Sequence, residues 1–243
     1  MRKHSLIGKV AIVTGAGRGI GRSIALALSK IGITVVLTAR TEKQLLAVKT
    51  KIAKSGGSVI SLPADLADEA AIANLVKCTV KYLGHLDIIV NNAGMGIFGP
   101  LADTTTSEWD QVMAVNARGP FLLCRAAIPH LRKSKRPFII NIGSVVSTKG
   151  YMNQAAYTAS KHALLGMTKS LAKEVQKDGI RVHAICPGGV DTELVTKARP
   201  DLNRAELIHP DEIAEIVTFL VTRNGNGVID QIDVRRASGT PWA

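Results

Sequence analysis

Residues 9–14, KVAIVT, form a short β-branched run that breaks at Gly15 into the turn TGAGRGIG, and a helical pattern takes over at once across residues 20–31. Ile24, Leu28 and Ile31 fall on one face of that helix. A strand, a glycine-rich turn and a helix in immediate succession point to an α/β layered fold. Such a turn lets backbone N–H groups at the helix start approach a pyrophosphate, and the helix dipole adds attraction. The usual GxGxxG spacing is not met, because Ile20 occupies its last position; the glycines present follow GxxxGxG at Gly15, Gly19 and Gly21.

The length of 243 residues allows one large α/β domain or two small ones. One domain over 1–243 is the expectation, since no linker, repeat or low-complexity tract interrupts the chain. Aromatics make up only 4% while small and aliphatic residues dominate, which suits parallel strands buried under closely packed helices. No run reaches the roughly 18 apolar residues of a membrane span. The amino end, MRKHSLIGKV, is too short and polar for a secretory signal, so a cytoplasmic protein is expected. Cys78, Cys124 and Cys186 lie far apart without metal-ligand spacing and read as reduced thiols, with no metal expected. The net charge of +12 is spread along helices and lacks aromatic platforms, so nucleic acid is disfavoured, although the charge would draw in an anionic cofactor or substrate.

A second strand spans 34–40. Where an NAD-binding unit places an acidic residue for the adenine ribose, this chain has Thr38, Ala39 and Arg40. With no carboxylate to repel a 2′-phosphate, Arg40 to bind one and Arg18 in the turn as a candidate helper, NADP is favoured over NAD; the competing reading makes Arg40 an exposed helix-start residue. Thr41 and Gln44 form a candidate capping box for the helix ending near Lys54. A third strand covers 58–64, and Asp65 either touches an adenine edge or caps the helix beginning near Asp68. A fourth strand, 86–90, runs into NNAG, whose Asn92, Ala93 and Gly94 suit a tight turn lying flat against a ligand.

One helix is read over 107–131, and Asn116 well inside it is unfavourable unless its side chain has a task. A fifth strand, 137–143, delivers Ser144 to the carboxyl edge of a parallel sheet, where such folds keep their chemistry. The helix over 154–176 places Tyr157 and Lys161 one turn apart on one face. A Tyr and a Lys four apart also occur by chance on many surface helices; the surrounding motifs give this pair its weight. An ammonium beside the phenol would lower the tyrosine pKa toward working pH and make Tyr157 a general acid and base. A sixth strand, 181–186, ends at Pro187 and Gly188, residues 192–207 read as a mobile substrate flap, Pro210 opens a helix, and 228–234 forms the last strand.

The order of TGAGRGIG, NNAG, Asn116, Ser144, the YxxxK of Tyr157 and Lys161, and PGG at Pro187 resembles the short-chain dehydrogenase/reductase family over roughly residues 7–235. The resemblance implies a doubly wound, Rossmann-type, mostly parallel seven-stranded sheet with helices on both faces. It implies a catalytic tetrad of Asn116, Ser144, Tyr157 and Lys161, with Tyr157 protonating the carbonyl oxygen, Ser144 holding that oxygen, Lys161 on the nicotinamide ribose and Asn116 positioning a water. Gly15, Arg18, Gly19, Ile20 and Gly21 match the diphosphate turn, Asp65 and Leu66 the adenine contacts, Asn92 to Gly94 the adenosine ribose region, and Pro187, Gly188, Val190 and Thr192 the carboxamide segment. Arg40 matches the NADP-selecting position. The family's frequent Asn in the sixth strand is His183 here, and the end, GNGVIDQIDVRRASGTPWA, departs from carrier-protein reductases and leaves the tail after Arg236 without a role.

The expected activity is NADP(H)-dependent interconversion of a secondary alcohol and a ketone, by a homo-oligomer (dimer or tetramer) acting on a small molecule. The competing reading is a non-catalytic NADP-binding sensor or scaffold, which such relatives become by losing the Tyr or Lys retained here. The pocket is expected to be lined by residues 95–98, 145–152 and 192–207, with the substrate itself undetermined.

Overall fold

The computed structural model describes residues 6–241; the amino end before Leu6 and the last two residues of the tail lie outside the described residues, and with them part of the readings placed there. Seven parallel strands form one sheet in the order β3-β2-β1-β4-β5-β6-β7. They are β1 (Val10–Thr14), β2 (Thr34–Thr38), β3 (Val59–Ser61), β4 (Ile88–Asn91), β5 (Phe138–Ile142), β6 (Arg181–Pro187) and β7 (Gln231–Val234). The helices are α1 (Gly19–Lys30), α2 (Glu42–Lys54), α3 (Glu69–Leu83), α4 (Thr106–Met113), α5 (Gly119–Leu131), α6 (Ala155–Glu174), α7 (Glu193–Ala198) and α8 (Pro210–Thr222). This is the doubly wound Rossmann-type fold that the motif order implies, and its strand order reverses between β1 and β4, opening a crevice at the carboxyl ends.

The alternation of β1 shows why its sequence is apolar throughout. Ala11 and Val13 join a core with Ile24, Leu28, Val217 and Leu220 of α1 and α8, while Val10 and Ile12 join a second core with Ile72, Leu75 and Leu123 of α3 and α5. Both sheet faces are covered, so neither set of side chains meets water. Each fully buried Leu or Ile contributes about 1.5–3 kcal/mol relative to exposure.

Three local readings need correction. Thr41 is the residue before α2, but its side chain makes no cap bond; a methyl at Gly17 would meet Gln44 Oε1 at 2.9 Å, so Gln44 packs against the glycine-rich turn instead. The helix read over 107–131 is two helices joined by a π turn at Ala114–Arg118, and it begins with a Thr105–Glu108 capping box. Pro120, at the start of α5, supplies no N–H to the Asn116 carbonyl four residues before it, which accounts for the break. The third strand is only Val59–Ser61, though Leu62 and Ala64 still donate to Leu37 and Ala39 at 3.0 and 3.3 Å; Pro63 is tolerated between them because its nitrogen faces outward on this edge strand.

The first turn is closed by close approach rather than by side chains. A Cβ on Gly21 would sit 2.3 Å from the Gly15 carbonyl oxygen and 2.4 Å from Asn92 Nδ2, and Gly15 itself has φ +63°. Gly21→Ala should therefore lower stability by about 1–3 kcal/mol in urea denaturation. The control Gly166→Ala, within α6 where an added methyl meets nothing within 4 Å, should raise it by roughly 0.5–1 kcal/mol.

Candidate active site

The carboxyl ends of β1 and β4 are bolted together by Thr14. Its hydroxyl accepts from the Asn92 and Ala93 backbone N–H groups at 2.9 Å each and donates to the Val90 carbonyl at 3.2 Å, while Asn92 Nδ2 donates to the Thr14 carbonyl at 2.8 Å. The NNAG turn is thus held flat against the glycine-rich turn. Helix α1 begins at Gly19 with no side-chain cap and no acidic residue in its first turn, so nothing from the chain itself neutralises that positive helix end.

Ser144, Tyr157 and Lys161 converge at the ends of β5 and α6. Lys161 is 4% exposed and donates to the Ile142 carbonyl at 2.8 Å, tying α6 to the last residue of β5. Its Nζ lies 5.9 Å from the centre of the Tyr157 ring. Ser144, two residues past Ile142, lies beside the Tyr157 phenol and favours its charged form. Its orientation is fixed by a reciprocal turn in which Ser147 Oγ accepts from the Ser144 N–H at 3.1 Å and Ser144 Oγ accepts from the Val146 N–H at 3.4 Å. Phe98 packs edge-on to Tyr157, with ring centres 5.8 Å apart.

The electrostatics differ from the sequence expectation. Burial pushes the Tyr157 phenol up to about 12, opposed by Ser144, and burial brings the Lys161 ammonium down to about 8. Desolvation outweighs what the lysine does to the phenol here. One of the three ammonium N–H groups goes to the Ile142 carbonyl, and both groups have lost water, which disfavours each charged form.

Asn116 is fully buried and its side chain is committed as well. It accepts from the Met95 N–H at 2.9 Å and donates to the Met95 carbonyl at 2.8 Å and to Ser160 Oγ at 2.9 Å. The side chain therefore anchors the loop after NNAG to α6. A methyl on Gly94 would stand 3.5 Å from Asn116 Oδ1 and 3.6 Å from Lys161 Nζ, so this glycine floors the space between them.

Other expected residues fall into place unevenly. Asp65 accepts from the Ala67 N–H at 2.9 Å while Asp68 caps α3 through Ala70 and Ala71, so the helix-cap alternative for Asp65 is ruled out. The Leu66 side chain is buried in the core, leaving only its backbone to face a ligand. Arg40 is exposed just past β2 and has no ion pair among the described residues. Arg18 is paired with Glu193 at the start of α7, and both side chains stay exposed. Residues 192–207, read as a mobile flap, contain α7 and a short turn at Arg204–Glu206, held by the Arg18–Glu193 pair, by Arg204 on Asp191 at 2.7 Å and by Arg236 near Glu206 at 3.8 Å. His183 gives its Nδ1 to the Ile229 carbonyl at 2.6 Å and stacks on Phe138, and burial holds its pKa below the usual value; it is structural.

Tyr157 and Ser144 open onto a cavity of about 350 Å³ that reaches Ile20 of α1, the Pro187–Val190 segment and Thr192. The tail after β7 closes it: Arg235, Arg236, Gly239 and Thr240 are wall residues. This contribution went unread in the sequence, where only the twin arginines of VRRASG gave a signal. Gly188 N–H donates to the Val234 carbonyl at 2.7 Å, the contact that brings the tail to the site.

The model of the family described as short chain dehydrogenase matches residues 9–203, which include both turns and the Ser144, Tyr157 and Lys161 cluster. The chain belongs to the short chain dehydrogenase family. It is 36% identical to a versicolorin reductase of Emericella nidulans over 96% of this chain and 88% of that protein. A hydroxynaphthalene reductase-like protein of Metarhizium robertsii is 35% identical over 94% of each. Among solved structures, a metagenomic short-chain oxidoreductase in complex with NADP shares 40% identity with a TM-score of 0.85, covering 96% of this chain and all of that one. As a short chain dehydrogenase it is an oxidoreductase, and no helix among its described residues is long and apolar enough to cross a membrane.

The depressed Lys161 pKa makes a stability prediction. Between about 8 and the usual 10.5 the unfolded chain binds more protons at this site than the folded one, so folding strengthens as pH rises through that window. Urea denaturation should show wild type gaining on Lys161→Met by on the order of 3 kcal/mol at most between pH 7.5 and 10.5. A parallel pH dependence of the two proteins would mean that the ammonium is not desolvated.

Proposed function

We propose that this chain is an NADP(H)-dependent oxidoreductase that interconverts a secondary alcohol and a ketone, with residues 1–243 as one catalytic domain. The observation that carries the reading is that the Tyr157 and Ser144 hydroxyls share a cavity with Ile20 and Thr192, next to an uncapped helix start.

The residues fit a phosphorylated dinucleotide. The first turn of α1 offers N–H groups without a competing acid, Gly15 and Gly19 take φ of +63° and +52°, and Gly94 leaves open the space beside Asn116 and Lys161. Arg40, with no carboxylate at positions 38–40 and no ion pair among the described residues, supplies the cation for a 2′-phosphate. The solved relative named above is a complex with NADP, in keeping with this choice. Gly15 to Gly21 take the diphosphate, Asp65 and the Leu66 backbone the adenine side, Asn92 to Gly94 the neighbouring ribose, Lys161 the nicotinamide ribose, and Pro187 to Thr192 the carboxamide.

When bound, the nicotinamide supplies or takes the hydride; the remaining roles belong to the chain. Ser144 holds the substrate oxygen beside the phenol. Tyr157 gives its proton to that oxygen as negative charge develops on it, and burial serves this direction by keeping the phenol protonated at neutral pH. Lys161, still largely cationic at pH 7, stabilises the phenolate left behind. Asn116 keeps the loop beneath them in place.

Tyr157→Phe should abolish NADPH oxidation with any ketone while leaving NADPH binding, followed by nucleotide fluorescence, intact; wild-type turnover would remove Tyr157 from the acid role. Arg40→Asp should weaken NADPH relative to NADH by about 1–3 kcal/mol in titrations, the loss of a charge-assisted contact. An unchanged cofactor ratio would put the selectivity elsewhere.

A further inference from the structure

The charge pattern of the cavity exceeds what ketone reduction requires. Lys149, Arg199, Arg235 and Arg236 line it, and no Asp or Glu does. Arg199 is balanced from outside by a fork onto Asp201 at 2.8 and 2.6 Å. Arg236, whose side chain is just 20% exposed, has Glu206 at 3.8 Å and feels the charge of Asp201, which Arg199 already holds. Lys149 and Arg235 have no carboxylate partner among the described residues; Arg235 donates instead to the Arg236, Ala237 and Gly239 carbonyls, which fixes the tail as a rigid loop. Arg236 lies against the Gly189 side of the cavity, its Cδ 3.4 Å from where a methyl there would stand.

A half-buried cation without a close counterion is costly unless an anion completes it, and that describes Lys149 and, with its carboxylate 3.8 Å away, Arg236; Arg199 is already paired and Arg235 is exposed. The dinucleotide phosphates are a poor match for them, because Arg18, Arg40 and most of the glycine-rich turn lie outside this wall. The rest of the wall is apolar, with Phe98, Val146, Leu194, Val195 and Leu202. A ligand matching both features has a hydrophobic body and a terminal negative charge.

We propose that the substrate is an oxo acid, its carbonyl at Tyr157 and Ser144 and its carboxylate held by the cationic wall, Arg236 foremost and Lys149 assisting. This rests on the carbonyl-reducing role proposed above. The proton and hydride balance of that reaction is unchanged, and the carboxylate takes no part in bond making.

The test compares 4-oxopentanoate, 5-oxohexanoate and 6-oxoheptanoate with their methyl esters by NADPH oxidation, and in parallel measures hexanoate against hexanamide by calorimetry on the protein with NADP, which needs no turnover. For at least one chain length the acid should exceed its ester in kcat/KM by about tenfold or more, and hexanoate should bind where hexanamide does not. Arg236→Gln should collapse the acid-to-ester ratio and the hexanoate affinity by about tenfold, Arg236→Lys should restore part of both, and Lys149→Gln, in case the first variant folds poorly, should lower the same ratio. Esters reduced as well as acids, or no hexanoate binding alongside reduction of neutral ketones, would overturn the oxo-acid assignment and leave the oxidoreductase reading standing. Weakened NADPH binding with an unchanged acid-to-ester ratio in Arg236→Gln would also overturn it, by giving that cation to the dinucleotide. Hexanoate binding that depends on Arg236, with no carbonyl compound reduced, would keep the anion site and reject the oxidoreductase reading; absence of both would reject both.

Discussion

The site depends on one hydrogen bond, from the buried Lys161 ammonium to the Ile142 carbonyl at the end of β5. An ammonium removed from water has to find acceptors, and this one sits where a parallel strand runs out of partners. The contact sets how far α6 slides along the sheet. Once it is made, Tyr157, one turn earlier on the helix, faces Ser144, two residues beyond the strand end. The reactive pair is therefore positioned by main-chain geometry on one side and a single helix on the other, with no loop required to find its place.

A second set of buried polar groups keeps that helix in register. Asn91 and Asn141 are paired neighbours on β4 and β5, with Asn91 Nδ2 donating to Asn141 Oδ1 at 2.8 Å; Asn141 Nδ2 then donates to Thr168 Oγ1 at 2.8 Å on α6. Asn116 performs the same service toward Ser160. Apolar packing of α6 alone would tolerate small slips, whereas a chain of side-chain hydrogen bonds inside the core leaves an unsatisfied group for every slip. The precision of the site is thus carried by polar residues away from the reacting atoms.

Much of this was legible in the sequence because it is local. The glycine-rich turn, the strand ends and the Tyr157 and Lys161 spacing are dictated by neighbours a few residues apart, and the fold follows from their alternation. What escaped reading depends on distant partners. The Asn116 side chain looked marked, but its attachment to Met95 and Ser160 requires knowing that two segments meet. The phenol seemed destined to be acidified, since sequence shows the neighbouring ammonium but not the desolvation that outweighs it. Residues 192–207 lack periodicity because their order comes from ion pairs to Arg18, Asp191 and Arg236 rather than from a packed face. The tail was silent for the same reason, its placement resting on one backbone bond to Gly188.

The most direct test of the account is a crystal structure of the protein grown with NADP. The account predicts the diphosphate over the Gly15 to Gly21 turn, the 2′-phosphate against Arg40, and the nicotinamide in the cavity beside Tyr157 and Ser144. A dinucleotide bound elsewhere, or one whose nicotinamide end lies away from the Tyr157 hydroxyl, would contradict it.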